Sequence, residues 1–569
     1  MLSNHWPKLL MLLALGISIL LPVVVGLGET MRAAFGILPA LGQYSVNIDA
    51  WMQLYQLPGL ISSLRLTLFS GFAATVMALL LAISGSSWVY NRSPKAFLLG
   101  RLKPLAQLII VPVLAAPHAA IAIGLAFLIA PSGWIARWFS PWLTNWSLPP
   151  DWATVQDLWG LSLTLGLVIK ELPFLWLICL VALKQIDVSK HISLAQSMGY
   201  SHSTAWRKVI VPQLYPLIRL PVMVVLVYAL STVDMAQILG PNNPPTLALV
   251  TMRLYTDANV QMLLPASAAA ISLALLMVMS ILLWEVTVRA LMRLNRVSIR
   301  SGGRTSKWSF IGTTLTTALP FSVMLGLLSL LVLALWSITW RWSFPDPWPT
   351  SWSYGYWLAL LTEWPLALKH SLITALVSSG LALMLAVIWL EVQDRFGGHF
   401  YRATLWLIYL PLLVPQIAFL YGLKVSFLRL GLSGGIGTVI WAHLLFVFPY
   451  VMLSLMDSWR ALDQRYLAVA ASLGGSWWTC FWRIKLSLLL RPLLIAWAIG
   501  MAVSVSQYLP TLLIGAGRVE SLTTEAVSLA SGADRRLVGV YGLLQALVPL
   551  LAYSLALLLP RWVALKNMQ

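Results

Sequence analysis

Twelve apolar runs of about 20 residues or more recur along this 569-residue sequence. Each is long enough to cross a hydrocarbon core of about 30 Å as a helix rising about 1.5 Å per residue. They fall near 9–28, 60–88, 105–130, 158–183, 213–238, 263–288, 309–338, 367–391, 404–428, 436–458, 489–512 and 537–560. Lipid offers no hydrogen bonds to a backbone, so segments of this kind must satisfy their own as helices. The expected fold is an all-α polytopic membrane protein of about 12 transmembrane helices. The first run follows Lys8 and is not trailed by an A-x-A cleavage site, so it is expected to remain as a span.

Composition agrees with that reading. The chain is 59% apolar and 10% charged, whereas soluble domains average roughly 45–50% and about 25%. An ordinary cytoplasmic enzyme is excluded. Cys179 and Cys480 lie about 300 residues apart and imply neither a disulfide framework nor a cysteine metal site.

The net charge of +19 is explained by where the basic residues sit. With both termini cytoplasmic, the inner segments hold 24 Lys and Arg and the outer segments hold 8, with Arg65, Lys170, Arg219, Lys369 and Lys424 within or at the ends of runs. This threefold bias follows the positive-inside rule, and no nucleic-acid partner is needed to account for it. Two outer loops, 131–159 and 339–364, are rich in Trp and Pro. They read either as an interfacial aromatic belt or as a docking surface for a soluble partner.

The sequence repeats itself. AQSMGYSHSTAWRKVIVP from Ala195 parallels AASLGGSWWTCFWRIKLS from Ala470, with Gly199 and Gly474 at an offset of 275 (474 − 199). Ser201 and Ser476, Thr204 and Thr479, and Gly240 and Gly515 keep it, while PHAAIAIG from Pro117 matches PQIAFLYG from Pro415 at a shifted offset. Two parallel repeats of six spans are expected, 1–288 and 309–569, joined by a basic linker at 289–308. Parallel repeats are one known way to build a transporter.

In each half the longest inner loop (about 184–212 and 459–488) shares one design: a short helix, a glycine turn, a second short helix and a lead into the next span. Such an element can lie on the bilayer or fit a groove on a soluble partner. The pattern resembles the E-A-A-x3-G-x9-I-x-L-P loop of binding-protein-dependent ABC importer permeases. It is carried here by Ser193, Ala195, Gly199 and Pro212, and by Ala468, Ala470, Gly474 and Ser487. It departs from the family in that Ser193 and Ala468 replace the Glu and Ser487 replaces the second Pro. The whole chain resembles a fused double permease of type 1, similar to those for iron(III) and thiamine. STVDMAQILGPNNPPTLAL from Ser231 and SQYLPTLLIGAGRVESLTTEAV from Ser506 look like the YnjC-type permeases.

The resemblance implies coupling helices docking on two cytoplasmic ATP-binding cassette subunits. It also implies a periplasmic substrate-binding protein, a small solute as substrate and a place in the bacterial inner membrane. No cofactor is expected on this chain, since ATP and Mg would sit on the partners. No Lys follows a Gly in the sequence, so the Gly-Lys-Ser/Thr ending of a P-loop is missing.

Ionisable groups within spans cost roughly 2.5–3.5 kcal/mol at a helix centre and are functional candidates by default. Lys170 and Glu171 in the fourth run and His443 in the tenth are candidate path residues, with buried structural contacts as the other reading. Asp234 precedes a break at Gly240, and Gln507 precedes one at Gly515; broken helices in transporters free backbone groups for ligands. Beyond the breaks lie Arg253, Asp257, Arg518, Glu520 and Glu525, whose plain role would be outer-loop capping. A 12-span secondary transporter is the alternative function, but the loop NRSPKAFLLGRLKP between the second and third runs lacks the Gly-x3-Asp-(Arg/Lys)-x-Gly-Arg pattern of the major facilitator type. A membrane-embedded enzyme ranks last, the seven His being scattered without H-E-x-x-H.

Overall fold

A computed structural model describes residues 6–91, 111–303, 308–359, 361–396, 408–432, 434–532 and 534–566. The loop carrying Arg92, Lys95, Arg101 and Lys103, the start of the third and ninth runs, Arg402, and linker residues Arg304 and Lys307 lie outside them.

The helices in chain order are α1 (Leu10–Ala34), α2 (Asp49–Gln56), α3 (Leu60–Asn91), α4 (His118–Ile129), α5 (Trp134–Phe139) and α6 (Leu161–Leu183). Next come α7 (Val188–Ser197), α8 (His202–Ala205), α9 (Val211–Ser231), α10 (Asp234–Leu239), α11 (Leu247–Tyr255), α12 (Leu263–Arg300) and α13 (Trp308–Ser337). After a short hairpin, β1 (Thr339–Arg341) and β2 (Ser351–Trp352), follow α14 (Gly355–Ala359), α15 (Trp364–Phe396), α16 (Gln416–Arg429) and α17 (Ile436–Arg460). The series ends with α18 (Arg465–Ser472), α19 (Trp477–Thr479), α20 (Leu486–Leu488), α21 (Leu490–Val505), α22 (Leu509–Gly515), α23 (Leu522–Ala530) and α24 (Arg535–Lys566).

Among the described residues, ten helices are long and apolar enough to span a membrane, and a bent pair, Trp477–Leu488 with Leu490–Val505 at 69°, makes an eleventh. Of the twelve expected runs, the ninth is the one without a full span among the described residues: it is broken at Pro415, and the helix after the break, Gln416–Arg429, has 14 residues. The protein is a helical, multi-pass membrane protein, and the two-stranded hairpin is a small departure from an all-α chain.

The repeat is visible in the element boundaries. α11 and α23 start at 247 and 522 and end at 255 and 530, an offset of 275 at both ends. The third span of each half breaks at its proline: residues 111–115 are helical and the helix resumes after Pro117, as it does after Pro415 in the other half. Proline has no N–H for the ladder and its ring collides with the preceding turn, which favours a break at each, although prolines such as Pro173 and Pro449 are carried inside continuous helices.

Compactness divides the chain differently from the repeat. One unit comprises Met1–Thr30, Ala115–Ala120 and Gly355–Gln569; the other comprises Met31–Leu114 and Ile121–Tyr354. In the first unit, Met11, Leu15 and Ile19 of α1 share a core with Ala386 and Trp389 of α15 and with Phe448 and Val451 of α17. In the second, α13 packs on α3 and α6. The first span of each repeat thus joins the helices of the other repeat. The segment 289–300, expected as linker, continues the helix α12 to Arg300, and the compact units exchange the leading helices of the expected repeats.

The exchanged helices cross at glycines. A Cβ on Gly422 of α16 would strike the Gly26 carbonyl of α1, and one on Gly124 of α4 would strike the Ser329 carbonyl of α13. Both glycines close the repeated octapeptides PHAAIAIG and PQIAFLYG. Lipid supplies little drive for association of apolar faces, so helices in a membrane gain by close backbone approach at small residues.

Candidate functional site

The loops around Gly199 and Gly474 fold alike. α7 ends at Met198 and turns through Gly199 at φ +84°, and α18 ends at Leu473 and turns through Gly474 at φ +80°. Left-handed backbone of this kind favours glycine, which explains its place in both loops. Ser201 then caps α8 by accepting from the Thr204 amide, and Ser476 caps α19 by accepting from the Thr479 amide, at 3.4 and 3.3 Å. A π-turn follows in each, Trp206–Ile210 and Cys480–Lys485, leading into the next span at Pro212 and Ser487. Ser193, Gly199, Ala468 and Gly474 are exposed and Ala195 is buried. Large apolar side chains also face outward from both loops, with Met198 59% and Leu473 83% exposed.

The loops are rooted by different means. Lys485, 3% exposed, meets Glu391 at 2.7 Å and Asp394 at 2.6 Å on α15 and lies 4.3 Å from the centre of the Trp459 ring. Trp459 donates to Asp394 at 2.8 Å, and Trp477 donates to Glu391 at 3.2 Å. In the other half Lys208 donates to the carbonyls of Ser298 (2.6 Å) and Gly303 (2.9 Å) at the end of α12.

The helix breaks are equally regular. Thr67 on α3 accepts the Leu247 amide that opens α11, and Ser371 on α15 accepts the Leu522 amide that opens α23, each at 2.9 Å. Asp234 is buried at the start of α10 and accepts from the Thr232 hydroxyl at 2.8 Å. Gly240 ends α10 in extended conformation, and Gly515 closes α22 before Ala516 turns left-handed. At the 275-residue offset Asp234 corresponds to Leu509 and Gln507 to Thr232, so the carboxylate belongs to one half alone. Arg253 donates to the Asn242 carbonyl and side chain at 3.0 and 2.8 Å and ties down the Gly-Pro-Asn-Asn-Pro-Pro turn. Asp257 accepts the Asn259 amide in the next turn.

No family model matches the chain. The inner membrane ABC transporter permease protein YnjC of Escherichia coli is 32% identical over 523 residues, 91% of this chain and 92% of that protein. The chain belongs to the ABC transporter permease family. The molybdenum transport permease ModB of Mycobacterium bovis is 31% identical over 183 residues, 30% of this chain and 68% of its own. The spermidine/putrescine permease PotC of Haemophilus influenzae is 24% identical over 160 residues, 28% of this chain and 62% of its own. The protein is therefore a multi-pass inner-membrane permease of an ABC importer and not an enzyme, and ATP hydrolysis belongs to separate subunits. A secondary transporter is not favoured.

Within the permease the candidate path residues have assigned contacts. Lys170 donates to the carbonyls of Val113 and Leu114 at 3.1 and 2.8 Å. These are the groups that the Pro117 break leaves without ladder partners. Glu171, its neighbour, is buried at 8% exposure. His443 bonds Ser504 through Nδ1 at 2.8 Å and Thr511 through Nε2 at 2.9 Å. Ser504 accepts in turn from Ser378 at 3.1 Å, and Gln416 donates to Gln507 at 3.3 Å.

Sequence reasoning missed the buried hydroxyls of this network, and it missed Gln545, fully buried and donating to Thr523 at 2.7 Å. The corresponding first-half residues are Val168, Ala229 and Ala236 for His443, Ser504 and Thr511. A comparison of the halves at that offset would have marked the polar residues as one-sided.

The Trp-rich loops pack on each other within one unit. Trp134 meets Trp138, Trp342 and Trp348 edge-on with ring centres 5.4–6.5 Å apart. Buried Arg137 donates to the Ser343 carbonyl at 2.5 Å and lies over the Trp342 ring. Trp142 and Trp352 face outward. The loops form a built aromatic cluster as well as an outer rim.

Proposed function

We propose that the permease couples to two cytoplasmic ATP-binding cassette subunits through the loops around Gly199 and Gly474. A periplasmic substrate-binding protein would deliver a small solute from the other side. The carrying observation is the pair of helix–turn–helix loops, matched in glycine turn, serine cap and π-turn, each presenting an exposed apolar tip. A cytoplasmic location for both termini is supported by the threefold excess of Lys and Arg that this orientation gives the inner segments. ATP and Mg would be held by the partner subunits and no cofactor by this chain. Asp234, Gly240, Gln507 and Gly515 flank the helix breaks where backbone groups can line the solute path, while Lys170, Glu171 and His443 brace the bundle beside it.

The test is cysteine cross-linking from Met198→Cys and Leu473→Cys in native membranes. Both positions are expected to capture ATP-binding subunits. Capture from neither overturns the coupling reading, and capture from one alone overturns the two-subunit arrangement.

A further inference from the structure

The two coupling loops look alike from the cytoplasm but are fastened to different helices. On the second, Lys485 is almost completely buried and engages two carboxylates of α15 at 2.7 and 2.6 Å. Trp459 closes over it and shares Asp394, and Trp477, which opens α19, shares Glu391. Arg395 completes the cluster, 3.1 Å from Glu391 and stacked on Trp477 at 3.4 Å. A buried cation held by two carboxylates resists separation, because parting them leaves unpaired charge away from water.

On the first loop the matching helix, α3, offers no such pair. With the 304-residue offset between Thr67 and Ser371, Glu391 and Asp394 correspond to Ser87 and Tyr90. Tyr90 meets Trp206 by an aromatic contact at 6.3 Å. The cation of that loop, Lys208, reaches instead to the carbonyls of Ser298 and Gly303, and Asn295 donates back to the Lys208 carbonyl at 3.3 Å. Its grip is on the C-terminal end of α12 and the turn after it, within the 289–308 segment expected to join the repeats.

α15 carries the carboxylates at one end and Ser371, which caps α23, at the other. The 20 residues between Ser371 and Glu391 span about 30 Å of continuous helix. A displacement of the second loop is thus delivered along one rigid element to the helix break. A displacement of the first is delivered to α12 and the linker.

We propose that Lys485 and Lys208 are positioning residues that wire the two coupling loops to non-equivalent elements: the second to α15 and the break region it caps, the first to α12 and the inter-repeat linker. This rests on the coupling reading for its functional meaning, but the clamps themselves can be tested without it.

The experiment uses full-length permease in lipid nanodiscs, with Cys179→Ala and Cys480→Ser and paired spin labels. One pair, Leu473→Cys with Ile388→Cys, spans the second loop and α15; the other, Met198→Cys with Val297→Cys, spans the first loop and α12. Both interspin distributions are expected to be narrow. Lys485→Met should broaden the first pair at least twofold and leave the second unchanged, Lys208→Met should do the reverse, and Lys485→Arg should restore the first. If Lys485→Met does not fold, Glu391→Gln with Asp394→Asn serves as the clamp variant. An unbroadened 473–388 distribution in a folded clamp variant, or broadening of that pair by Lys208→Met, overturns the proposal. With ATP-binding subunits co-purified, ATP and vanadate should shift neither distribution unless a clamp is cut, and a shift in the uncut protein also overturns it. Failure of those subunits to co-purify removes the coupling reading while the nucleotide-free distributions still decide the clamps.

Discussion

The hydroxyl of Thr67 accepts the backbone amide of Leu247 at 2.9 Å, joining residues 180 positions apart. Helix N-termini leave amides without ladder partners, and in a membrane protein water is a poor substitute. α11 solves this by borrowing a hydroxyl from α3, and α23 solves it with Ser371 of α15. Thr67→Val keeps the shape and removes the acceptor, and should cost about 1 kcal/mol, read as a lowered unfolding midpoint in detergent. Thr67→Ser should sit near the parent. Because the two caps lie in separate compact units, the losses in Thr67→Val and Ser371→Ala should add. A midpoint unchanged by both would show that neither amide depends on its cap.

Lys170 bears on the same accounting at the other kind of helix end. Its ammonium fills the place of the N–H that Pro117 lacks, serving Val113 and Leu114 together. Lys170→Met should leave two buried carbonyls unsatisfied at about 1–3 kcal/mol each and reduce the amount of folded protein recovered from membranes. If Lys170 instead served the solute path, Lys170→Cys would react readily with a membrane-impermeant thiol reagent. The expected outcome is protection, because the side chain is buried within the bundle.

Most of the architecture could be read from the sequence because its causes are local. Apolar length announces spans, and Gly199 and Gly474 announce turns. What could not be read depends on pairs remote in the chain. Gly422 is a small residue in an apolar run until α1 is laid against it, and then its missing Cβ is what lets Gly26 approach. Lys485 reads as one more inner basic residue supporting the charge bias, yet it is buried between two carboxylates. Asp234 and Gln507 were matched as opposite numbers by their distance to the breaks, whereas the strict offset separates them by two residues. Motif spacing marked the loops around Gly199 and Gly474 and said nothing of what roots them.

His443 was a candidate by the rule that ionisable groups inside spans serve function. Its two nitrogens are both occupied, by Ser504 and by Thr511, which ties α17 to α21 and α22. His443→Leu should destabilise by about 1–3 kcal/mol through the hydroxyls left unpaired. A double-mutant cycle with Thr511→Val should return a coupling of about 0.5–1.5 kcal/mol. Strict additivity would mean that the imidazole does not rely on Thr511.

In the loop before α24, Asp534 offers a pH test away from the spans. Burial alone would raise its carboxyl, but hydrogen bonds from the Arg536 side chain and backbone and from Tyr356 at 2.7 Å hold it down at about 2. A folded pKa below the ordinary value contributes stability above that ordinary value, and the contribution is lost as pH falls toward the folded one. The window is therefore from about pH 4 down to about pH 2. The group is partly exposed, so the effect should stay under about 1 kcal/mol. Asp534→Asn should be slightly less stable than the parent at pH 6 and equal to it at pH 2. A constant difference across that range would show that the carboxylate's charge is not what holds Tyr356 and Arg536.

The strongest expected effect belongs to the glycines at the helix crossings. At Gly422 an added Cβ meets the Gly26 carbonyl and the Thr30 amide, and at Gly124 it meets the Ser329 backbone. Backbone cannot rotate aside as a flexible side chain can, so the helices must part. Overpacking of a tight core costs typically 1–3 kcal/mol, and here it also forfeits the Thr30 hydroxyl that accepts the Gly422 amide at 3.2 Å. Gly422→Leu should loosen α1 from α16, and Gly124→Leu should loosen α13 from α4. A disulfide formed between Thr30→Cys and Ser426→Cys in the parent should then fade in Gly422→Leu and persist in Gly124→Leu, because the two crossings belong to different compact units. Equal disulfide yield in both variants would show that the exchange of leading helices does not depend on backbone approach at the repeated glycine.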